Sequence, residues 1–505
     1  MAVATLHAQP SSLSVFHNRS FSLLWAGQLV STIGDSLMSL AASIMVYRLT
    51  GSALSVGLML MATAAPSILL GLIAGVFVDR FDRRKIMVAA DLIRAGLVLT
   101  IPFLVPMGIG WLYVIVLLTS CVSQFFEPAH ASVVPEVATD DELAAANSLL
   151  AISSFGSTAV GFAASGLIAS QFSISWAFYL DALSFLFSAA CIFLLRVPSV
   201  TADDKTGVRT IFANMRSGIR FLTSTPVLRS TFLLLPLIGL AFGLWNTLLL
   251  PFARQALGAT EFEYGLQEGM TSLGFVAGSL LMARLADRMH EGQWLSLSFL
   301  AMGVLNIVYA SLHSVPIAIL FVTISGFFNA PSAIGRQLIV QRNTPREMRG
   351  RVNSVFFVSR DAAFLIGMGA AGLADIVGVR NMALVSGLMV LVPGSLTLLL
   401  PGLRQPLVEW ERDLQLFRTA HPAPQLGPGR TATLADLEGL ASLLPGLSGL
   451  SPEDRASLAT QSQVAQVPAG TTIVRSGETA GRAFYIVDGR VVAGPAATDG
   501  ISKVT

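Results

Sequence analysis

Apolar stretches of about 20 residues, the length a helix needs to cross a bilayer, recur from Leu23 to Leu400 with short polar connections between them. They fall near 23–47, 54–78, 86–107, 111–134, 143–168, 176–195, 228–252, 264–286, 294–312, 315–339, 352–376 and 382–400. The runs are too long and too uniformly apolar for the alternating strands of a barrel, and backbone in lipid must satisfy its own hydrogen bonds. An all-α transmembrane bundle of twelve helices follows. The longest connection, about Val197 to Thr225, divides six spans from six. In it Ile211, Met215, Ile219 and Phe221, with Arg216 and Arg220, have the spacing of an amphipathic helix on a membrane surface. After Leu400 the apolar runs stop. Residues 403–446 read as a linker, and beyond them Val464, Val467, Ile473 and Val474 alternate with turn residues as short strands would. The pattern divides the chain into a first six-helix half (1–196), a connection with a surface helix (197–226), a second half (227–402), a linker (403–446) and a short, incomplete β-rich segment (447–505).

The second half echoes the first. Asp79-Arg80, Phe125-Phe126-Glu-Pro128 and Asn147-Ser148 return as Asp287-Arg288, Phe327-Phe328-Asn-Ala-Pro331 and Asn353-Ser354, each roughly 205 residues further on. Matches at nearly one offset point to duplication.

Composition agrees with the membrane reading: 53% of the 505 residues are hydrophobic and only 12% charged. A formal net charge of +2 gives no footing for nucleic acid, so the position of the charges matters more than their sum. Alternate connections hold Arg80, Arg83, Arg84 and Lys85, then Lys205, Arg209, Arg216, Arg220 and Arg229, then Arg288, then Arg342, Arg346, Arg349 and Arg351. The others hold little beyond Arg48, Arg254 and Arg380. By the positive-inside bias both termini lie in the cytoplasm of a chain that crosses the inner (plasma) membrane many times. The first twenty residues lack the pattern of a cleaved leader, so the first run reads as a true span. Cys121 and Cys191, the only cysteines, sit inside apolar runs without ligand-like spacing, which argues against a disulfide framework or a metal site. No phosphate-binding loop, Ser-His-acid set or metal cluster stands out, so neither an enzyme nor a cofactor is expected, and an ion gradient is the natural energy source.

The densest charge in the chain is Phe77-Val-Asp79-Arg80-Phe-Asp82-Arg83-Arg84-Lys85, preceded by Gly71 and Gly75. With Gly75 it resembles the signature loop of the major facilitator superfamily, here with Asp82 in place of a usual glycine. That variant, together with Asn18-Arg19-Ser-Phe21, Gly34-Asp35, Tyr47-Arg48, Ala90-Asp91-Leu-Ile-Arg94-Ala95 and Ala177-Phe-Tyr-Leu-Asp181, resembles the macrolide- and siderophore-exporter branch over residues 15–402. The resemblance implies two six-helix halves around a cavity that opens alternately to either side. It also implies a conformational latch of Gly75, Asp79, Arg80, Arg83, Arg84 and Lys85, with Asp79 capping the start of span 11 and the basic residues meeting acids on neighbouring helix ends, and a second-half counterpart in Asp287 and Arg288. A carboxylate beside a helix N-terminus is worth up to about 2 kcal/mol in a partly buried setting, weak enough to break on each cycle. The other reading of the basic residues is that they only anchor the topology.

Ionisable groups inside spans are costly, at about 2.5 kcal/mol or more at the bilayer centre. Asp35, in the middle of span 1, is the foremost candidate for proton coupling, followed by Asp181, Glu127 and Asp361; Glu268 is a further buried acid. Each could instead be a structural carboxylate satisfied by hydroxyls or an arginine. Asp91 and Arg94, at i and i+3, read as a structural pair, whereas the adjacent Arg360 and Asp361 point in different directions and are not expected to pair. Phe126, Trp245 and Phe328 are candidates for the wall of a substrate cavity. Gly156, Gly161 and Gly166 in span 5 loosely resemble the antiporter motif, with Phe162 where that motif has proline; close helix packing is the other explanation.

Residues 447–491 resemble the first half of a cyclic-nucleotide-binding roll. The Gly-Glu-x-x-Leu cassette and its Arg, which would hold the cyclic phosphate, do not follow Gly489, so cyclic nucleotide is doubtful as a partner. The expected function is proton-coupled efflux of small hydrophobic or amphipathic molecules across the lipid bilayer. A lipid or lysolipid flippase and a transporter-like sensor acting through the tail are the alternatives.

Overall fold

The computed structural model of the chain describes residues 14–78, 80–137, 143–195 and 208–404, and short stretches at 430–433, 458–459, 462–464, 472–475 and 501–503. Two units separate, Met1–Asp413 and Leu414–Thr505. In the first, α1 (Arg19–Thr50), α2 (Ala53–Val78), α3 (Arg83–Leu104), α4 (Gly110–Val137), α5 (Leu143–Gln171) and α6 (Ser175–Phe193) are followed by α7 (Val208–Ser224). Then come α8 (Pro226–Gln255), α9 (Glu261–Leu285), α10 (Glu291–Ser311), α11 (Val315–Asn343), α12 (Arg346–Ala370), the short α13 (Ala374–Val377) and α14 (Val379–Thr397).

Among the described residues, ten helices are long and apolar enough to cross a membrane. Twelve were expected, and the two others are α2 and α9. In α2 the qualifying apolar segment is the shorter Ala53–Ile68. In α9 the first turns carry Glu261, Glu263, Gln267 and Glu268, which lower its apolarity. Helix ends reach past the apolar windows because caps set them. Asn18 accepts the amide N–H groups of Ser20 and Phe21 to open α1, and Gly51, at φ +63°, closes it in the left-handed conformation that favours glycine. Asp82 caps α3 through the Lys85 amide at 3.2 Å, so the helix starts at Arg83.

Packing repeats between the two halves. α1 lies against α5 and α6, α3 against α4 and α6, and α2 against α4; correspondingly α8 lies against α12 and α14, α10 against α11 and α14, and α9 against α11. The remaining large contacts join the halves, α5 to α9 and α2 to α12, and they are equivalents under the same correspondence. α7 is a helix where the amphipathic one was expected; it packs on α12, with Gly218 against the Arg351 backbone and Arg351 donating to the Ser217 hydroxyl at 3.3 Å.

In the second unit the described residues form two short antiparallel pairs, β1 (Arg430–Thr431) with β2 (Gln463–Val464), and β3 (Thr472–Arg475) with β4 (Ile501–Lys503). Ile473 and Val474 lie in β3 as the alternation suggested, whereas Val467 and most of 447–491 lie outside the described residues.

Candidate functional site

Charge in the first half gathers around one guanidinium. Arg94 of α3 is almost wholly buried and bonds Asp91 one turn away, as the spacing predicted. Its plane lies between two rings, 4.6 Å from the centroid of Phe126 on α4 and 4.2 Å from that of Phe185 on α6. It also reaches the Ser123 hydroxyl at 3.4 Å and faces Asp35 of α1 at 4.0 Å, a Coulombic distance rather than a hydrogen bond. Asp181 of α6 is fully buried, accepts from the Ser184 hydroxyl at 3.3 Å, and has its other oxygen unpartnered among the described residues. Gly34 makes this approach possible, since a Cβ there would stand 2.5 Å from the Asp181 carboxylate. Asp35 and Asp91 thus face one cation, and the other two of these four carboxyls, Asp181 and Glu127, stand on the helices whose rings, Phe185 and Phe126, lie against it.

Two of the four are accessible although they sit well inside their helices. The Asp35 side chain is 45% exposed and Glu127 is exposed. A charge at that depth is expected to face the bundle interior or water rather than lipid. Phe126, expected on a cavity wall, is instead 2% exposed, because it covers Arg94 and stacks on His130 at 6.0 Å. The other two aromatic candidates are partly buried: Trp245 meets Tyr309 edge-on at 5.3 Å and Phe328 meets Phe327 at 5.5 Å.

In the second half Arg360 donates from Nε at 2.8 Å and from Nη2 at 2.7 Å to the same oxygen of Asp361. The expectation that these neighbours do not pair is therefore corrected. Their Cβ atoms diverge by a helix step, but the long arginine side chain folds back across the gap. Glu268 accepts from the Tyr264 hydroxyl at 3.1 Å, and Tyr309 donates to the Gln267 side chain at 2.7 Å.

Among the described residues the ion pair and the helix cap that join the halves lie at one end. At the end carrying Arg48, the Arg48 guanidinium grips the Glu261 carboxylate and the Ala169 carbonyl. Beside it Asp375 accepts the Ser52 hydroxyl at 2.6 Å and the amides of Ala53 at 2.8 Å and Leu54 at 3.2 Å, capping α2 from the opposite half. Gly166 of α5 and Gly265 of α9 bring their helices into backbone contact, a Cβ on Gly166 standing 2.6 Å from the Glu261 carbonyl and 2.9 Å from the Gly265 Cα. Gly161 serves the contact of α5 with α1. These are the packing roles offered as the alternative for the span 5 glycines; Gly156 has no described neighbour within 4 Å.

At the other end, carrying Arg80, three of the expected latch residues, Arg83, Arg84 and Lys85, interact within the first half. Arg83 pairs with Glu136 at the end of α4, Arg84 donates to the Phe193 carbonyl and lies over the Phe193 ring, and Lys85 stands 3.7 Å from Asp82. Gly75 has no described atom within 4 Å of a would-be Cβ. Asp79 lies outside the described residues, as does the side chain of Asp287, while Arg288 is exposed at the end of a 3-10 turn. The residues that sequence reasoning passed over are Glu261 and Asp375. Each is an ordinary helix-end acid in sequence, and only the fold brings its partner from the other half. Arg254 and Arg380, the other exceptions to the positive-inside bias, are tied to helix-end carbonyls, Arg254 to that of Ala259 and Arg380 to those of Ala256, Ala310 and Leu312.

Two halves of matching helix packing, with ionisable residues inside their membrane helices, define a membrane transporter of the major facilitator type. The transmembrane secretion effector family matches residues 10–426, and the chain belongs to it. Among relatives, the multidrug efflux pump Tap of Mycolicibacterium fortuitum is 28% identical over 395 residues, covering 76% of this chain and 96% of its own. The macrolide efflux protein A of Streptococcus pyogenes is 26% identical over 382 residues, covering 74% and 93%. Solved structures of like fold include the nucleoside transporter NupG, with a TM-score of 0.63 at 12% identity over 75% of this chain and 98% of that one. Another is a bacterial homologue of the iron transporter ferroportin in an inward-facing state, with a TM-score of 0.58 at 16% identity over 75% and 98%. The family match ends at residue 426, so the cyclic-nucleotide-like resemblance of the tail rests on its sequence alone.

Proposed function

We propose that the chain is a proton-coupled exporter of small hydrophobic or amphipathic molecules that works by alternating access. The observation that carries this reading is the asymmetry of the interface. Ion pair, trans cap and glycine contact all cluster at the Arg48 end, while Gly75 at the other end has no described neighbour. The basic connections assign the Arg80 end, with both termini, to the cytoplasm, so the cavity opens inward in this state. Parting the Arg48 contacts and closing the signature loop, with Asp79 over the start of α12, would open it outward. The efflux activities named for Tap and the macrolide efflux protein favour export over uptake.

Coupling is assigned to the carboxyls that share Arg94. Asp35 is accessible and 4.0 Å from that guanidinium. Gaining or losing a proton there changes the charge balance of a cluster touching α1, α3, α4 and α6, the wall that must move. The test is transport by the full chain in proteoliposomes under an imposed pH gradient, with macrolides and hydrophobic dyes as substrates. Asp35→Asn is expected to abolish gradient-driven flux while leaving substrate exchange. Undiminished gradient-driven flux in that variant removes Asp35 as the coupling group, and no flux of any compound by the native chain overturns the transport reading.

A further inference from the structure

We propose that Arg336, with Arg360 beside it, forms an anion-binding subsite in the second half, so that the molecules this protein carries are amphiphiles with a carboxylate, sulfonate or phosphate group. The inference deepens the transport reading and rests on it only for the carrying; the binding stands separately.

Arg336 lies in α11, seven residues or about 10 Å of helix from its end at the Arg80 face, the end at which the interface between the halves is open. It is partly accessible, and among the described residues it has no carboxylate and no hydrogen-bond partner. Its one recorded contact is apolar, the guanidinium carbon lying 6.0 Å from the centroid of the buried Phe299 ring. Arg360 lies on α12, a helix that packs against α11, and carries the same charge. Arg360 is 39% exposed, spends one carboxylate, Asp361, on itself, and lies over the Phe357 ring at 5.2 Å. Among the described residues Asp361 pairs with Arg360, and Arg336 has no carboxylate of its own.

An arginine in a membrane helix is costly, about 2.5 kcal/mol or more near the centre, and ordinarily finds a protein counter-charge. Of the first-half acids Asp35 and Asp91 face Arg94, Asp181 is buried behind Gly34, and Glu127 is exposed without an ion pair to either arginine among the described residues. A guanidinium set against an aromatic ring keeps its N–H fork directed outward, the arrangement that takes a carboxylate, sulfonate or phosphate through two parallel hydrogen bonds. The exposed ring of Phe357 supplies apolar surface for the body of the same molecule. The opposite sign of the first-half wall, with Asp35 and Glu127 accessible, sets the orientation, since the anionic group is drawn away from those carboxylates.

The experiment compares 5-carboxyfluorescein and rhodamine 123, dyes of one xanthene skeleton and opposite charge, binding to the full chain in nanodiscs at pH 8 by fluorescence anisotropy. The native protein is expected to bind carboxyfluorescein about tenfold tighter or more. Arg336→Gln should weaken carboxyfluorescein by about tenfold, the loss of one charge-assisted pair, and leave rhodamine 123 unchanged or tighter; Arg336→Lys should recover part of the loss. Equal affinity for the two dyes, a preference for rhodamine 123, or carboxyfluorescein binding untouched in Arg336→Gln overturns the proposal. Displacement of carboxyfluorescein by equimolar inorganic phosphate overturns the amphiphile in favour of a bare anion. Should Arg336→Gln not fold, the native dye preference and Arg360→Gln decide. Because the assay reads binding alone, a chain that binds but moves no dye in vesicles keeps the subsite and loses the transport reading.

Discussion

The carboxylate of Asp375 accepts the backbone amide of Ala53 at 2.8 Å, so that a residue of the second half caps a helix of the first. The signature loop implies the same device at the opposite end, with Asp79 over the start of α12. In this state Asp375 is engaged.

Asp375→Asn keeps the acceptor and removes the charge, which should weaken the Arg48-end contact by roughly 1 kcal/mol. Spin labels on Leu49→Cys and Phe262→Cys, both exposed positions, in a background without Cys121 and Cys191 should show a longer-distance population growing. An unchanged distance distribution would place the cap outside the gating equilibrium.

Arg48→Gln leaves Glu261, only 8% exposed, without its cation. The cost of an unpaired group of this kind is about 1 to 3 kcal/mol, enough to shift the two-state balance by about fivefold or more toward separation at that end. The swapped pair Arg48→Glu with Glu261→Arg should restore part of the native distribution. A swap no better than the single variant would mean that the Ala169 carbonyl, not the ion pair, sets the contact.

Gly166→Leu places a side chain where Gly265 already stands. Because the obstacle is backbone, α5 and α9 must move apart. Flux is expected to fall at least about tenfold with the variant still monodisperse and inserted, whereas Gly156→Leu, where no described atom stands within 4 Å, should be tolerated. Equal flux through both would show that the α5–α9 contact does not limit the cycle.

Arg94→Met removes the cation between Phe126 and Phe185 and leaves Asp91 buried alone, a change that costs about 3 kcal/mol or more. The purified variant should unfold at lower temperature, and adding Asp91→Asn should recover part of the loss. If the double variant is as unstable as the single one, ring packing on the guanidinium outweighs the pair.

The helices were legible because spans are written in uniform apolar runs, and the duplication was legible in Asp79-Arg80 and Asp287-Arg288. The Asp91–Arg94 pair was legible too, since its partners are one turn apart and a helix fixes their spacing. Arg360 and Asp361 misled, because Cβ directions say little about where a four-bond side chain ends. Phe126 misled for a related reason: an aromatic in a polar stretch of helix can line water or cover a cation, and the choice depended on Arg94 of another helix. Glu261 and Asp375 carried no local signal, each finding its partner more than 200 residues away.

Hydrophobic periodicity and charge placement act within a segment and against the bilayer, so the sequence alone determined the spans, the amphipathic helix α7, the two halves and the end of the molecule rich in cations. Which end holds the ion pair and cap between the halves, which carboxyls gather on Arg94 and which arginine is left without a counter-charge depend on contacts between helices remote in the chain. Those contacts exist only once Gly34, Gly166 and Gly265 let backbones approach, and the tertiary structure alone decided them.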